Sequence, residues 1–181
     1  MSWIITRTGK RFDLLAPTAA MVDPTDIAHS LSMQCRFNGH SRFFYSVAQH
    51  CLLVADLVPE QYALQALLHD ATEAYVGDMV SPLKNALPEY RQIEHNVWHV
   101  ICAHFDIDPV LPACIHDADL TALATERRDL MHPHQDEWPC LIGTTPIEAR
   151  ISPWSQPEAA QRYHDRLITL LTTTHRARAA A

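Results

Sequence analysis

Four ionisable side chains lie within ten positions where an apolar segment ends. They are His69, Asp70, Glu73 and Asp78, in the stretch ALLHDATEAYVGD at residues 66–78. Protein interiors rarely hold such groups unless the groups are paired or bound to a metal ion. On a helix, Glu73 lies four residues after His69 and three after Asp70, so these side chains share one edge. A divalent cation would offset the repulsion between the carboxylates. Imidazole nitrogen and carboxylate oxygen together suit zinc, manganese, iron or cobalt.

Two adjacent side chains cannot complete a coordination shell, so further ligands must come from other elements. His50 lies inside the apolar run SVAQHCLLV, on the helix before the one that carries His69, and Asp119 lies in IHDADLTAL at the entry of another helix. Each has an ordinary alternative: His50 as a core histidine and Asp119 as a helix cap. Together they are more informative, because each is an independent polar residue in a core helix. Three helices would then direct four ligands to one point and leave positions open for water and phosphate.

The elements that must position these residues are mostly helical. Residues 3–15 predict two short strands about a turn at Thr8-Gly9-Lys10, where glycine tolerates a positive φ. Residues 132–157 carry five prolines and few periodic positions, and a loop of this length in a compact domain is usually functional or mobile. We therefore expect one mostly α domain over residues 1–181, a helical bundle with a small N-terminal β-hairpin. Apolar spacing and start signals predict helices over residues 24–37, 46–58, 60–75, 88–105, 113–131 and 156–175.

Composition excludes several classes of protein. The chain has 181 residues, of which 48% are hydrophobic and 19% charged, values typical of one globular domain. The net charge of −7 argues against a nucleic-acid polymer as partner, but one metal ion and a few local cations can still hold a small phosphorylated ligand. No apolar run reaches the roughly 18 residues of a membrane helix. The N-terminus lacks a secretory signal, so we expect a cytoplasmic protein without a membrane partner.

The five cysteines are odd in number and widely spaced, and none forms a Cys-x-x-Cys pair. A disulfide framework and a cysteine zinc site are therefore not expected.

The order His50, His69-Asp70, Asp119 resembles the H…HD…D pattern of the HD-domain metal-dependent phosphohydrolases. The stretch LLHDATEAYVGDMVSPLK is similar to the corresponding segment of bacterial HD-type 5′-deoxynucleotidases. The segments DIAHSLSMQCRF and FYSVAQH resemble more closely those of phage and bacterial HD hydrolases, a group that includes deoxyadenosine triphosphate triphosphohydrolases. The similarity covers residues 24–131, the expected HD core, and leaves the hairpin and the Pro-rich loop undecided.

The resemblance implies a role for each matching residue. His50, His69, Asp70 and Asp119 would be the metal ligands. Asp117 is the rival for the last place, and Asp119 is preferred because ADL aligns with a family segment before an apolar helix.

Within the catalytic segment, Glu73 would act as general base or water-positioning group. Asp78 would assist the leaving group or help hold a second cation such as magnesium, with an ordinary turn residue after Gly77 as the alternative. Arg36 and Lys84 match positions that contact phosphate. His95 and His99, four residues apart in EHNVWH, are interpreted as a surface pair because the zincin pattern is absent.

The function implied is metal-dependent hydrolysis of a small-molecule nucleotide. The preferred expectation is a reaction that converts a deoxynucleoside triphosphate such as dATP to nucleoside and triphosphate. A 5′-nucleotidase that releases phosphate from deoxynucleoside monophosphates is the alternative. A metal- or nucleotide-binding regulatory module without turnover is the alternative of another class. Relatives in the HD superfamily are commonly homo-oligomers, so self-association is also expected.

Overall fold

A computed structural model describes residues 1–179, with side chains through residue 174. The fold is mostly α-helical with a small antiparallel two-stranded sheet at the N-terminus, as the sequence predicts. The strands are β1 (Trp3–Ile5) and β2 (Arg11–Asp13). The helices in the described chain are α1 (Pro24–Met33), α2 (Val47–Asp56), α3 (Ala63–Leu68), α4 (Glu73–Val76), α5 (Ser81–Ala86), α6 (Pro88–Phe105), α7 (Ala113–Leu130) and α8 (Gln156–Ala179).

The hairpin forms where the sequence places it. Ile4 pairs with Phe12 across the two strands, and Gly9 turns the chain with a φ of +83°. Phe12 is fully buried and stacks on Tyr75 with ring centroids 3.8 Å apart. The hairpin is therefore attached to the helical part by an aromatic contact, which is worth more than its buried area alone.

Helix α2 lies at the centre of the helical part and packs against α1, α3, α7 and α8. Ser46 caps its N-terminus, because the Ser46 hydroxyl accepts a hydrogen bond from the Gln49 N–H at 3.1 Å. The Tyr163 hydroxyl on α8 donates to the Leu67 carbonyl on α3 at 2.9 Å. The largest fully buried side chains are Tyr45, Tyr163, Phe12, Ile27, Leu31, Leu67, Leu68, Ile101, Ile115, Leu130, Leu167 and His50. A histidine thus lies at the depth of the apolar core.

The single helix predicted over residues 60–75 is broken. A 3₁₀ turn leads into α3, which ends at Leu68, and α4 begins at Glu73. Between them the backbone makes tighter bonds, from Ala71 N–H to the Leu68 carbonyl at 2.8 Å and from Glu73 N–H to the Asp70 carbonyl at 3.0 Å. A helix end leaves its last carbonyls without the usual donors four residues later. Here the Ala66 carbonyl accepts from the His69 N–H at 3.5 Å and also lies close to an imidazole nitrogen, as the next subsection describes.

Several element boundaries differ from the sequence prediction. α1 ends at Met33 instead of residue 37, because Gln34 is extended and the Arg36 N–H donates to the Tyr45 carbonyl at 2.9 Å. α5 lies in a region where no helix was predicted. α8 continues to Ala179, four residues beyond the predicted end.

The Pro-rich segment contains only one 3₁₀ turn, Pro139–Leu141, between α7 and α8 of the described chain, in agreement with the predicted loop. Its second half is tied to α7. The Arg128 guanidinium donates to the Ala149 carbonyl at 2.8 Å, and the Asp129 carboxylate accepts from the Ile151 N–H at 2.9 Å. Arg128 also donates to Asp129 at 2.6 and 2.7 Å. The loop is therefore held by a charged pair at the C-terminal end of α7.

No helix among residues 1–179 combines the length and apolar character needed to cross a bilayer.

Replacing Asp129 by Asn should destabilise the protein in a pH-dependent way. The hydrogen bonds from Arg128 hold the pKa of Asp129 well below its usual range, and the bond from the Ile151 N–H contributes in spite of an opposing effect of burial. The stabilisation is therefore present above the unfolded pKa of about 3.9 and lost as the pH falls through the lower folded value. We expect Asp129→Asn to lose about 1.5–3 kcal/mol of unfolding free energy at pH 7, measured by urea denaturation.

The difference from wild type should shrink below about pH 4, because the carboxylate protonates there in the unfolded state while it stays ionised in the folded state down to a lower pH. Asp136→Asn, an exposed acid in the same loop, is the matched control and should leave stability unchanged. Equal stability of wild type and Asp129→Asn at pH 7 would contradict the expectation.

Candidate metal centre

Two buried histidines face each other at the junction of α2 and α3. His50 lies on α2 with a side chain that is 0% exposed, and His69 immediately follows α3. Their ring centroids are 5.3 Å apart. The contact between consecutive helices α2 and α3 brings the two residues together, as the sequence predicts.

Two aspartates join this pair. An Asp70 carboxylate oxygen lies 3.2 Å from His69 Nε2 and 3.5 Å from His50 Nε2, and an Asp119 oxygen lies 3.2 Å from His50 Nε2. Asp117 is exposed, and its backbone carbonyl accepts from the Thr121 hydroxyl. The ligand atoms of His50, His69 and Asp119 lie within 4.8 Å of one another, and so do those of His69, Asp70 and Cys51. The structure thus brings the proposed ligands together in two overlapping groups and places Asp119, rather than Asp117, beside His50.

The histidine nitrogens that face the aspartates lie 3.2 Å from carboxylate oxygens but make no well-aligned hydrogen bond with them. His50 Nε2 and His69 Nε2 are buried and have no hydrogen-bond partner within the described chain. The opposite nitrogens are engaged: His50 Nδ1 lies 2.7 Å from Glu126 Oε1, and His69 Nδ1 lies 2.7 Å from the Ala66 carbonyl. Metal-binding histidines are typically oriented in this way by an acceptor on the far nitrogen. Buried unpaired nitrogens cost free energy, and a divalent cation between them and the carboxylates would remove that cost.

The electrostatics of the cluster favour positive charge. Burial lowers the pKa of His50, and Arg36 lowers it further, but the carboxylates of Glu126 and Asp119 outweigh both and raise it to about 9. Burial also lowers the pKa of His69, yet Asp70 raises it above its usual value. The carboxylates thus favour positive charge at both imidazoles, and metal binding there would compete with protonation.

Glu126 is the residue that sequence reasoning missed. Its side chain on α7 is 0% exposed, and one oxygen lies 2.7 Å from His50 Nδ1 while the other lies 3.2 Å from Arg36. The signal was available: Glu126 follows Asp119 by seven residues, two helical turns along the same face. It is a buried acid that orients a candidate ligand.

Arg36 lies in the cluster but is already engaged. It lies between α1 and α2, just before the 3₁₀ turn Phe37–Gly39, and its side chain is only 11% exposed. The guanidinium is 3.2 Å from Glu126 and 3.7 Å from Asp70. Arg36 therefore balances the charge of two carboxylates at the centre, which puts it within reach of a ligand bound there.

Glu73 and Lys84 form a second pair beside the centre. The Lys84 amine lies 3.9 Å from Glu73 and 2.7 Å from Glu94. Burial raises the pKa of Glu73 well above its usual value, and the neighbouring charges of Asp70 and Asp78 add to this effect. A carboxyl with a raised pKa is suited to proton transfer near neutral pH.

Asp78 follows the end of α4, where Gly77 turns the chain with a φ of +86°. Its N–H donates to the Gln34 side chain at 2.9 Å. Burial raises the pKa of the Asp78 carboxyl, whereas Arg36 lowers it. The turn after Gly77 and the hydrogen bond to Gln34 account for the backbone position of Asp78.

A cleft of about 380 Å³ opens at the centre. His69 and Asp70 line one part of it, together with Lys84, and Trp98 and Leu111 contribute apolar surface. A face of α6 forms much of the wall, with side chains spaced by three and four residues: Arg91, Glu94, His95 and Trp98. Sequence reasoning followed the apolar face of α6 and did not assign this one.

No protein-family model matches the chain. The Uncharacterized protein YfdR of Escherichia coli is 45% identical to it over 148 residues, which cover 82% of this chain and 83% of that protein. The chain belongs to the family of YfdR. The Uncharacterized protein RCAP_rcc00048 of Rhodobacter capsulatus is 38% identical over 127 residues, 65% of each chain. Neither relative has a name that states an activity, so the chemistry of the site carries the functional conclusion.

Removing Asp119 should weaken metal binding, whereas removing Asp117 should not. We expect Asp119→Ala to bind Zn²⁺ or Mn²⁺ at least ~10-fold more weakly than wild type, because it loses one of four ligands. Asp117→Ala, two residues away, is the matched control. Metal content after dialysis, measured by plasma mass spectrometry, checks the expectation. Equal metal retention in both variants would remove Asp119 from the ligand set.

Replacing Glu126 by Gln should lower metal affinity without removing a ligand. The variant loses the charge that orients His50 and pairs with Arg36, and changes of this kind cost about 10- to 100-fold in affinity. Competition with a chelating dye measures the effect, and circular dichroism establishes that the variant is folded. Glu137→Gln, an exposed acid on the loop, should bind as wild type does. Wild-type affinity in a folded Glu126→Gln protein would refute the orienting role.

Proposed function

We propose that this protein is a metal-dependent phosphohydrolase that acts on a nucleotide. The observation that carries the proposal is the approach of the buried Nε2 atoms of His50 and His69 to the carboxylates of Asp70 and Asp119, beside a cleft that His69 and Asp70 line. The H…HD…D order that resembles the HD-domain phosphohydrolases supports the same conclusion. Its residues are the ones that the fold brings together.

Each residue near the centre has a defined task in this proposal. His50, His69, Asp70 and Asp119 hold the ion, which when bound supplies Lewis acidity toward a phosphoryl oxygen and lowers the pKa of water. Two nitrogen and two carboxylate donors suit zinc, cobalt, manganese or iron. Glu126 holds the His50 ring in place through Nδ1.

The proton and the phosphate are handled by the residues around the ion. Glu73 accepts a proton from the attacking water or positions that water, and Lys84, 3.9 Å away, neutralises the carboxylate and contacts phosphate. Arg36 contributes a guanidinium next to Asp70. Asp78 is placed to serve the leaving group or a second cation such as magnesium.

The pairing of Arg36 and Lys84 beside the metal centre favours a substrate with one phosphate. Arg36 is paired with Asp70 and Glu126, and Lys84 is paired with Glu73 and Glu94. These cations are largely neutralised before a ligand arrives, and a triphosphate would bring about four negative charges. We therefore propose the 5′-nucleotidase reaction on deoxynucleoside monophosphates first.

The triphosphohydrolase reaction remains the second candidate, since the sequence of residues 26–50 resembles that of HD triphosphohydrolases. The apolar surface of Trp98 and Leu111 in the same cleft suits the base or sugar of either substrate. The third candidate is a regulatory module that binds metal or nucleotide without turnover. Glu73 argues against it, because a module that only binds does not require a buried proton acceptor next to the centre.

A product assay on metal-reconstituted protein distinguishes these functions. Adenosine and deoxyadenosine mono- and triphosphates are offered separately, and products are resolved by ion-exchange chromatography. We expect orthophosphate from the monophosphates, with activity reduced by more than ~100-fold in Asp70→Ala because the ion loses a ligand. Asp117→Ala is the matched control and should keep wild-type activity.

Other products would change the proposal. Nucleoside plus intact triphosphate would establish the triphosphohydrolase reaction. Metal-loaded protein that turns over none of these substrates would favour the binding module.

A further inference from the structure

Two exposed histidines on α6 converge at the side of the same cleft. His95 lines the cleft, and His99 lies one turn further along the helix. Their Nε2 atoms are 3.0 Å apart, their ring centroids are 4.4 Å apart, and the ring planes meet at 83°. The pair is separate from the buried centre, because neither residue belongs to the cluster of His50, His69 and Asp119.

The separation of the two nitrogens matches a shared ion. A first-row divalent ion bonds imidazole nitrogen at about 2.0–2.1 Å, and a bond angle near 90° then sets two such nitrogens about 3 Å apart. The ring centroids lie closer together than rings that pointed their nitrogens end to end would allow. The rings share a hydrogen bond between their Nε2 atoms, and an ion bound by both nitrogens would replace that bond.

The helix holds this geometry in place. Residues four apart are neighbours on a helix surface, so His95 and His99 need no change in backbone to approach each other. Val97 and Ile101 on the same helix are fully buried and fix α6 against the core. Ligands on a packed helix keep their relative position better than ligands on a loop.

We propose that His95 and His99 form a second metal site, exposed at the cleft wall, for divalent ions that prefer imidazole, such as Zn²⁺, Ni²⁺ and Cu²⁺. Water completes the coordination of an ion held by two side chains. Affinity should follow the general order for such donors, with Cu²⁺ bound most tightly. Metal binding at this site does not require the proposed hydrolytic activity.

An ion at this site would change the charge of the cleft. His95 shares the cleft wall with Arg91 and Lys84. A bound divalent ion adds two positive charges to the side on which an anionic ligand would lie, next to a lysine that Glu73 and Glu94 otherwise neutralise. The proposed site thereby links divalent metal concentration to anion binding in the cleft.

Isothermal titration of the metal-loaded protein with Zn²⁺, and separately with Ni²⁺, tests the proposal. Wild type should bind one ion more than His95→Ala or His99→Ala, or bind it at least ~10-fold more tightly, because each variant keeps only one of the two imidazoles. His116→Ala, an exposed histidine on α7, is the matched control and should behave as wild type.

Imidazole nitrogen NMR gives a readout that does not depend on stoichiometry. Zinc should shift the signals of His95 and His99 together in wild type, and neither signal should respond when the partner is replaced. Identical binding isotherms in wild type, both α6 variants and His116→Ala would overturn the proposal, as would zinc-dependent shifts at His95 that persist in His99→Ala. Both measurements are independent of turnover, so failure of the hydrolase proposal would leave this result intact.

Discussion

The buried carboxylate of Glu126 is the contact on which the geometry of the centre depends. One oxygen faces His50 Nδ1 at 2.7 Å, and the other faces the Arg36 guanidinium at 3.2 Å. These contacts join α7, α2 and the connection between α1 and α2, which carries Arg36, around one negative charge. A buried charge is tolerated only when it is paired, so the three elements have one favourable arrangement. In that arrangement His50 Nε2 is turned away from Glu126 and toward Asp70 and Asp119, where a metal ion could bind.

The break between α3 and α4 serves the same centre from the opposite side. A continuous helix would have required the Ala66 carbonyl for a backbone bond four residues later. Instead, that carbonyl lies 2.7 Å from His69 Nδ1, and the chain continues through tighter turns to Glu73. The Ala66 carbonyl thus accepts the His69 N–H that closes the helix and also lies against the imidazole that it orients. This dual use explains why charged residues follow directly on an apolar helix.

Helix α6 contributes to the core and to the cleft with different faces. Val97 and Ile101 are buried among apolar side chains, whereas Arg91, Glu94 and His95 line the cleft. The rigidity that core packing gives to one face is passed to the other, because both belong to one hydrogen-bonded helix. Cations and carboxylates are closely paired along this wall, so a small change in local charge, such as a bound ion, alters its attraction for anions.

The sequence by itself determined the helical class, the hairpin, most helix positions and the four candidate ligands. Apolar periodicity, capping residues and polar residues inside apolar helices are local signals, and each can be recognised without knowing the fold. Only the tertiary structure decided the break after Leu68, the role of Glu126 and the cleft face of α6. Glu126 and His50 are separated by 76 residues, and no local pattern encodes which buried acid meets which imidazole. That choice follows from how α2 and α7 pack, because the pairing of a buried charge is settled only when the helices surround it.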